Sequence, residues 1–291
     1  MKKIIALTTI IYLLLASTIT EAQVEVYKPI DYFNIGLKRK LKSELLKEQR
    51  TINIYLPEGF DANDTSKYAL VILLDGGAYE HFISVSGIYQ FTNVKPTNEN
   101  SKSIVVGIEN TDRIRDFTHP TNQNLEKNKY KTAGGAATFI QFIEKELLPY
   151  LEDNFPLTST RTLIGEELGG LLAMDIAFNN VTLFNQYIVV SPCLWWNKGA
   201  LLDAAVRKKN TNCNNTTKVY IGVGNEELVP DSIAAELSLD ASTIIENLQF
   251  AICPQWQLHY DFMPTELNKT ALHQGVYNAL RWIQSLPPTK R

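Results

Sequence analysis

Six short runs that are apolar almost throughout constrain this chain more than anything else in it. They are Tyr68 to Leu74, Ser103 to Ile108, Arg161 to Ile164, Gln186 to Val190, Lys218 to Val223 and Gln257 to Phe262. A strand with one wet face alternates apolar and polar residues, whereas a strand covered on both faces does not. Between the runs lie segments with helical spacing. Thr138 to Asn154 sets Phe139, Phe142, Ile143, Leu147 and Leu151 on one stripe. Leu168 to Asn179, Ala200 to Lys208, Ser232 to Leu248 and Ala271 to Gln284 continue the series. Such alternation predicts an α/β protein, a mostly parallel sheet with helices on both faces joined by right-handed crossovers. Ahead of it, residues 34 to 57 alternate around Leu46-Lys47-Glu48-Gln49, which predicts an N-terminal antiparallel hairpin.

The start of the chain reads differently. Lys2 and Lys3 precede an apolar run from Ile4 to Ser17, and Thr20-Glu21-Ala22 offers small residues where a signal peptidase reads. Residues 1–22 are therefore expected to be a signal peptide, and residues 23–291 one domain, secreted or periplasmic; an uncleaved anchor is the alternative. No stable membrane insertion is expected after removal of the signal. A net charge of -3, with no Lys/Arg-dense run, gives no footprint for nucleic acid. In an oxidising compartment the three cysteines matter. Cys213 and Cys253 each precede a strand run, so neighbouring strands would start them at one sheet edge, either bridged or as two thiols. Cys193 reads as a buried thiol.

Open α/β sheets bind ligands at the carboxyl ends of their strands. There the segment Arg161-Thr-Leu-Ile-Gly165-Glu166-Glu167-Leu168-Gly169-Gly170 runs from a buried strand through a tight turn into an apolar helix. That is the context of a nucleophile elbow, normally Gly-x-Ser-x-Gly, with Glu167 in the serine's place. The plainer reading is a helix N-terminus carrying glutamates, where the macrodipole favours negative charge.

Further motifs carry a resemblance. Leu73-Leu74-Asp75-Gly76, Val106-Gly107-Ile108-Glu109-Asn110-Thr111-Asp112-Arg113-Ile114-Arg115-Asp116, Gly134-Gly135-Ala136 leading to Phe142 through Tyr150, and Ser191-Pro192-Cys193-Leu194-Trp195-Trp196-Asn197 follow one another in order. Together they resemble the predicted α/β-superfamily hydrolases related to the siderophore esterases and to esterase D, over most of the chain after its leader. The resemblance implies the α/β-hydrolase fold. It places the nucleophile position at Glu167, the position before it at Glu166, the histidine at Asn268 and the acid at Glu227 or Glu226. Oxyanion-hole donors are implied at the backbone N–H groups of Leu168 and of Gly76 or Gly77.

Two of the three catalytic residue types are thus replaced. An esterase needs a nucleophile and a base that takes and returns its proton, and an asparagine amide does not titrate near neutral pH. A carboxylate at position 167 would still need a base to activate water. The histidines present are His81, His119, His259 and His273, of which His273 is nearest in sequence to the required loop. The expectation is a catalytically impaired pseudo-hydrolase that binds a small molecule or partner in the ancestral ester cleft. In it Glu167 fills the oxyanion hole and anionic ligands are disfavoured. An active ester hydrolase using Glu167 or a displaced histidine, and a structural or interaction protein, are the alternatives. Asp75, Arg113, Arg115, Trp195 and Trp196 are expected to line the pocket, although the Asp112–Asp116 loop also reads as a purely structural ion-pair network and the tryptophans as core. No metal or other cofactor is expected, because Asp75, Glu166 and Glu167 lack suitable histidines and ligand spacing.

Overall fold

The computed structural model describes residues 34–63, 67–93, 102–180, 182–208, 217–225, 255–267 and 269–286. The hairpin forms as expected: β1 (Leu37–Ser43) pairs antiparallel with β2 (Glu48–Tyr55), Leu37 opposite Ile54 and Ser43 opposite Glu48. The apolar runs become β3 (Tyr68–Leu73), β4 (Ser103–Ile108), β5 (Leu157–Glu166), β6 (Gln186–Val190), β7 (Lys218–Gly224) and β8 (Gln257–Met263). They join the hairpin in one eight-stranded sheet, order β1-β2-β4-β3-β5-β6-β7-β8, parallel throughout except at β1–β2 and β2–β4. This mostly parallel, helix-covered sheet is the α/β-hydrolase fold.

Helices follow in the order α1 (Phe82–Asn93), α2 (Arg113–Phe117), α3 (Asn124–Lys129), α4 (Ala136–Phe142), a π-helical turn (Ile143–Leu147), α5 (Leu148–Asn154), α6 (Leu168–Asn179), α7 (Trp196–Lys208) and α8 (Ala271–Ser285). The continuous helix expected from residue 138 to 154 is interrupted by the π turn. Pro149 lacks the N–H that would bond the carbonyl of Lys145, and a helix released at one rung readily shifts register there. In α7, Asn197, Lys198 and Gly199 have positive φ (51°, 57° and 74°), so right-handed helix begins only at Ala200, where the spacing placed it.

Successive strand residues feed opposite faces. Leu70 and Ile72 of β3 join Phe139, Leu147, Leu172 and Ile176 in the core beneath α4 to α7. Val71 and Leu73 instead join Val85, Leu272 and Val276 beneath α1 and α8. The central parallel strands β3 to β7 are therefore buried on both sides, which is why their sequences do not alternate. The edge strand β8 is only partly buried, and its sequence Gln-Leu-His-Tyr-Asp-Phe-Met does alternate.

Candidate active site

The strand ends gather the unusual backbone of the molecule. Asp75 follows β3 with φ 52°, Glu167 follows β5 with φ 49°, and Ser191 follows β6 with φ 40°. Such values are costly for residues carrying a Cβ and cluster at functional sites.

Glu167 is the apex of the elbow, with ψ -112° between β5 and α6. Its N–H donates to the Val190 carbonyl (3.0 Å), and its own carbonyl accepts from Leu171 (2.9 Å) and Cys193 (3.0 Å). The turn closes only because position 165 has no side chain: a Cβ there would lie 2.3 Å from the Gly169 carbonyl oxygen. The tight strand-to-helix turn expected of an elbow is thus present, with a carboxylate at its tip.

That carboxylate lies 3.7 Å from Arg113 Nη1. Arg113, at the start of α2, grips Asp75 with two nitrogens (Nε–Oδ1 2.6 Å, Nη2–Oδ2 3.0 Å), donates to the Glu166 carbonyl (3.1 Å) and rests over the Phe117 ring at 5.6 Å. Burial opposes its charge, but Asp75 and then Glu167 outweigh this and raise its pKa. Asn110 adds a hydrogen bond to Asp75 Oδ1 (2.6 Å) and another to Glu80 Oε1 (3.0 Å).

The expected oxyanion donors are only partly open. The Gly76 N–H donates to the Ile108 carbonyl (2.8 Å), because β3 and β4 remain paired there, and the Gly77 N–H donates to Glu80 Oε2 (2.6 Å). Glu80, unremarked in the sequence, occupies the donor that Glu167 was expected to fill. The Leu168 N–H, in the first turn of α6, lacks an intrahelical acceptor by position.

His81 is the other residue the sequence did not single out. Its Nε2 lies 3.3 Å from Glu166 Oε2, and its ring meets His273 edge-on with centroids 6.1 Å apart. Hydrogen bonding to Glu166 raises the His81 pKa, against burial and with help from Asp75 and Glu80. Glu166 is buried and its second oxygen, Oε1, has no hydrogen-bond partner. Where the family pattern puts a histidine before the nucleophile, this chain has a carboxylate, and an imidazole reaches it from the neighbouring loop. Loop position alone could have suggested His81, six residues beyond Asp75.

Of the residues expected in the pocket, Asp75 and Arg113 come together beside the elbow. Arg115 does not join them; it turns back to Glu48 (Nη2–Oε1 2.6 Å) and Asp116 (Nε–Oδ1 2.7 Å), completing a network around the fully buried Arg50. Residues two positions apart on a helix point about 200° apart, so Arg113 and Arg115 serve different faces. Trp196 is buried and donates to the His119 carbonyl (3.0 Å), with Trp195 packed against it. Asn268, Glu227, Glu226, Cys213 and Cys253 lie outside the described residues, as do the leader 1–22 and Ser232 to Leu248. Cys193 is partly buried and not disulfide-bonded. Among the described residues no group of three or more His, Cys, Asp or Glu could hold a metal ion.

Comparison with known proteins agrees with this architecture. The family described as "Putative esterase" matches residues 43–291. The ferri-bacillibactin esterase BesA of Bacillus subtilis is 28% identical over 203 residues, 62% of this chain and 67% of the relative. A siderophore enterobactin esterase of Emericella nidulans is 29% identical over 165 residues, 52% of this chain and only 54% of the relative's length. Among solved structures, an IroE-like serine hydrolase from Shewanella oneidensis superposes with a TM-score of 0.72 at 29% identity, covering 85% of this chain and 79% of that one. The BES protein from Bacillus cereus gives 0.74 at 26% identity, covering 88% and 98%. With the strand order, the elbow backbone and a family match over nearly the whole described fold, the chain belongs to the Putative esterase family of α/β-hydrolase proteins.

Proposed function

We propose that this protein is a non-hydrolytic member of the esterase family that binds a small molecule in the cleft at its strand ends. The observation that carries this reading is Glu167 at the elbow apex, its carboxylate facing Arg113, with no imidazole within ion-pair distance of it among the described residues. Acyl transfer needs a proton shuttle at the nucleophile. Asn268, at the position the family gives to histidine, has no such capacity. Asp75, Glu80, Glu166 and Glu167 outnumber Arg113 and His81 around the elbow, so a ligand offering a cation or hydrogen-bond donors is favoured over an anionic ester. The leader is read as an export signal, and amino-terminal sequencing of the mature protein should begin at Gln23.

The purified protein should leave short p-nitrophenyl esters and the trilactone enterobactin intact, while Glu167→Ser combined with Asn268→His should gain measurable hydrolysis on the retained scaffold. Wild-type turnover near the ordinary enzymatic range, about 1 s⁻¹ or more, overturns the reading. A specific observation favours one rival: the His81–Glu166 pair at 3.3 Å is a carboxylate-oriented imidazole beside the elbow. If it activates water, wild-type hydrolysis exists and His81→Ala abolishes it.

A further inference from the structure

A cavity of about 230 Å³ lies between α6, α7 and the loop following α2. Its walls are chiefly apolar: Phe117, Leu171, Leu172, Trp196 and Leu201. At one end stand His119 and Asp175, joined Nε2 to Oδ2 at 2.7 Å. Asp175 is a nearly buried carboxylate in the third turn of a helix otherwise apolar from Leu168 to Phe178, and its other oxygen accepts from Asn179 (2.8 Å). No hydrogen bond joins the second ring nitrogen of His119 to another described side chain or backbone group.

Two features point to a ligand. An engineered apolar cavity of about 150 Å³ binds benzene, so this one has room for a substituted single ring. A buried carboxylate is costly, and here it is neutralised by an imidazole that is itself half exposed at the cavity's edge. Hydrogen bonding to Asp175 raises the His119 pKa and so favours its charged, donating form. With His119 protonated the pair is neutral and with His119 neutral it carries one negative charge, so neither state attracts an anionic head group. A hydroxyl both donates and accepts, so it suits a carboxylate oxygen with spare lone pairs and an imidazole nitrogen in either protonation state.

We propose that this cavity is a binding site for a small neutral phenol or alcohol, its hydrocarbon ring among Leu171, Leu172, Trp196 and Leu201 and its hydroxyl on the His119–Asp175 pair. The site is separate from the elbow, and neither proposal depends on the other.

The test uses the mature chain, with 4-ethylphenol, ethylbenzene and 4-ethylbenzoate as probes in ligand-observed NMR and calorimetry. 4-Ethylphenol should bind with a Kd on the order of 1 mM or tighter. Ethylbenzene, lacking the hydroxyl, and the charged benzoate should each bind at least about fivefold more weakly, a difference of the size one hydrogen bond contributes. Ala200→Leu and Ala204→Leu, which fill the cavity from α7, should each weaken 4-ethylphenol by about tenfold or more while the thermal melt stays cooperative. The double variant His119→Ala with Asp175→Ala should bring 4-ethylphenol and ethylbenzene to equal affinity. No saturable binding of 4-ethylphenol up to about 10 mM overturns the site. Binding untouched by both filling variants does so too, since it would lie elsewhere. Equal wild-type affinity for the hydrocarbon overturns the role of the His119–Asp175 pair.

Discussion

At the scale of single residues, Glu167 holds a strained backbone conformation. A non-glycine residue at φ 49° and ψ -112° stores on the order of 1–3 kcal/mol. Its ion pair with Arg113, at 3.7 Å and partly exposed, returns little of that. Glu167→Gly should therefore stabilise the protein by about 1 kcal/mol in urea unfolding, after allowing for the greater freedom glycine gives the unfolded chain. A loss of stability would mean that the carboxylate contributes more at the apex than its contacts suggest. Sequence reading located this residue because glycine spacing and a strand-to-helix switch are local signals. It did not find Glu80 on the Gly77 N–H or His81 on Glu166, since both depend on how the loop after Asp75 folds against β5.

Among elements, the hairpin is fastened to α2 by charge. Arg50 is fully buried and donates through Nη1 to Asp116 Oδ2 (2.7 Å) and Glu48 Oε1 (2.8 Å), while Arg115 bonds both acids from the other side. Removing one member strands a buried charge, so Asp116→Ala should cost about 3–5 kcal/mol by denaturant titration. A change below about 1 kcal/mol would show that water or a neighbour takes its place. The ion-pair character of the Asp112–Asp116 segment was legible as one of two readings: Arg115 joins the network around Arg50, while Arg113 pairs with Asp75 and Glu167 beside the elbow. The strands were legible because burial on both faces removes alternation. Helix α1 was not, for Phe82-Ile-Ser-Val-Ser-Gly-Ile-Tyr mixes β-branched, aromatic and glycine residues with weak helix propensity and is held by packing of Phe82, Val85 and Tyr89.

For the molecule as a whole, protonation sets the range of greatest stability. The pKa values of His81 and His119 are raised above 6.5 by hydrogen bonds to Glu166 and Asp175. Their contribution is complete below the unfolded value and disappears as pH climbs through the folded ones. Glu48 behaves oppositely: burial raises its pKa, yet Arg115 and Arg50 together bring it below 4.5, so its share is present above that value and lost in acid. Unfolding free energy should thus be highest between about pH 4.5 and 6.5 as far as these groups decide it, and decline across neutrality. His81 faces Glu166, Asp75, Glu80 and His273, and His119 faces Asp175. In the double variant His81→Ala with His119→Ala, chemical denaturation from pH 6.5 to 8 should show that decline flattened; an unaltered slope would assign it to other groups.

The placing of β3 between β4 and β5 also has a bearing on biosynthesis. As the chain emerges, β3 meets β4 first, and its other margin awaits residues 157–166. Until those are made, a central strand with unused backbone donors and acceptors is open to any extended polypeptide nearby. Nascent molecules arrested before residue 157 are thus the ones most in need of a chaperone, and that need should fall once β5 has docked.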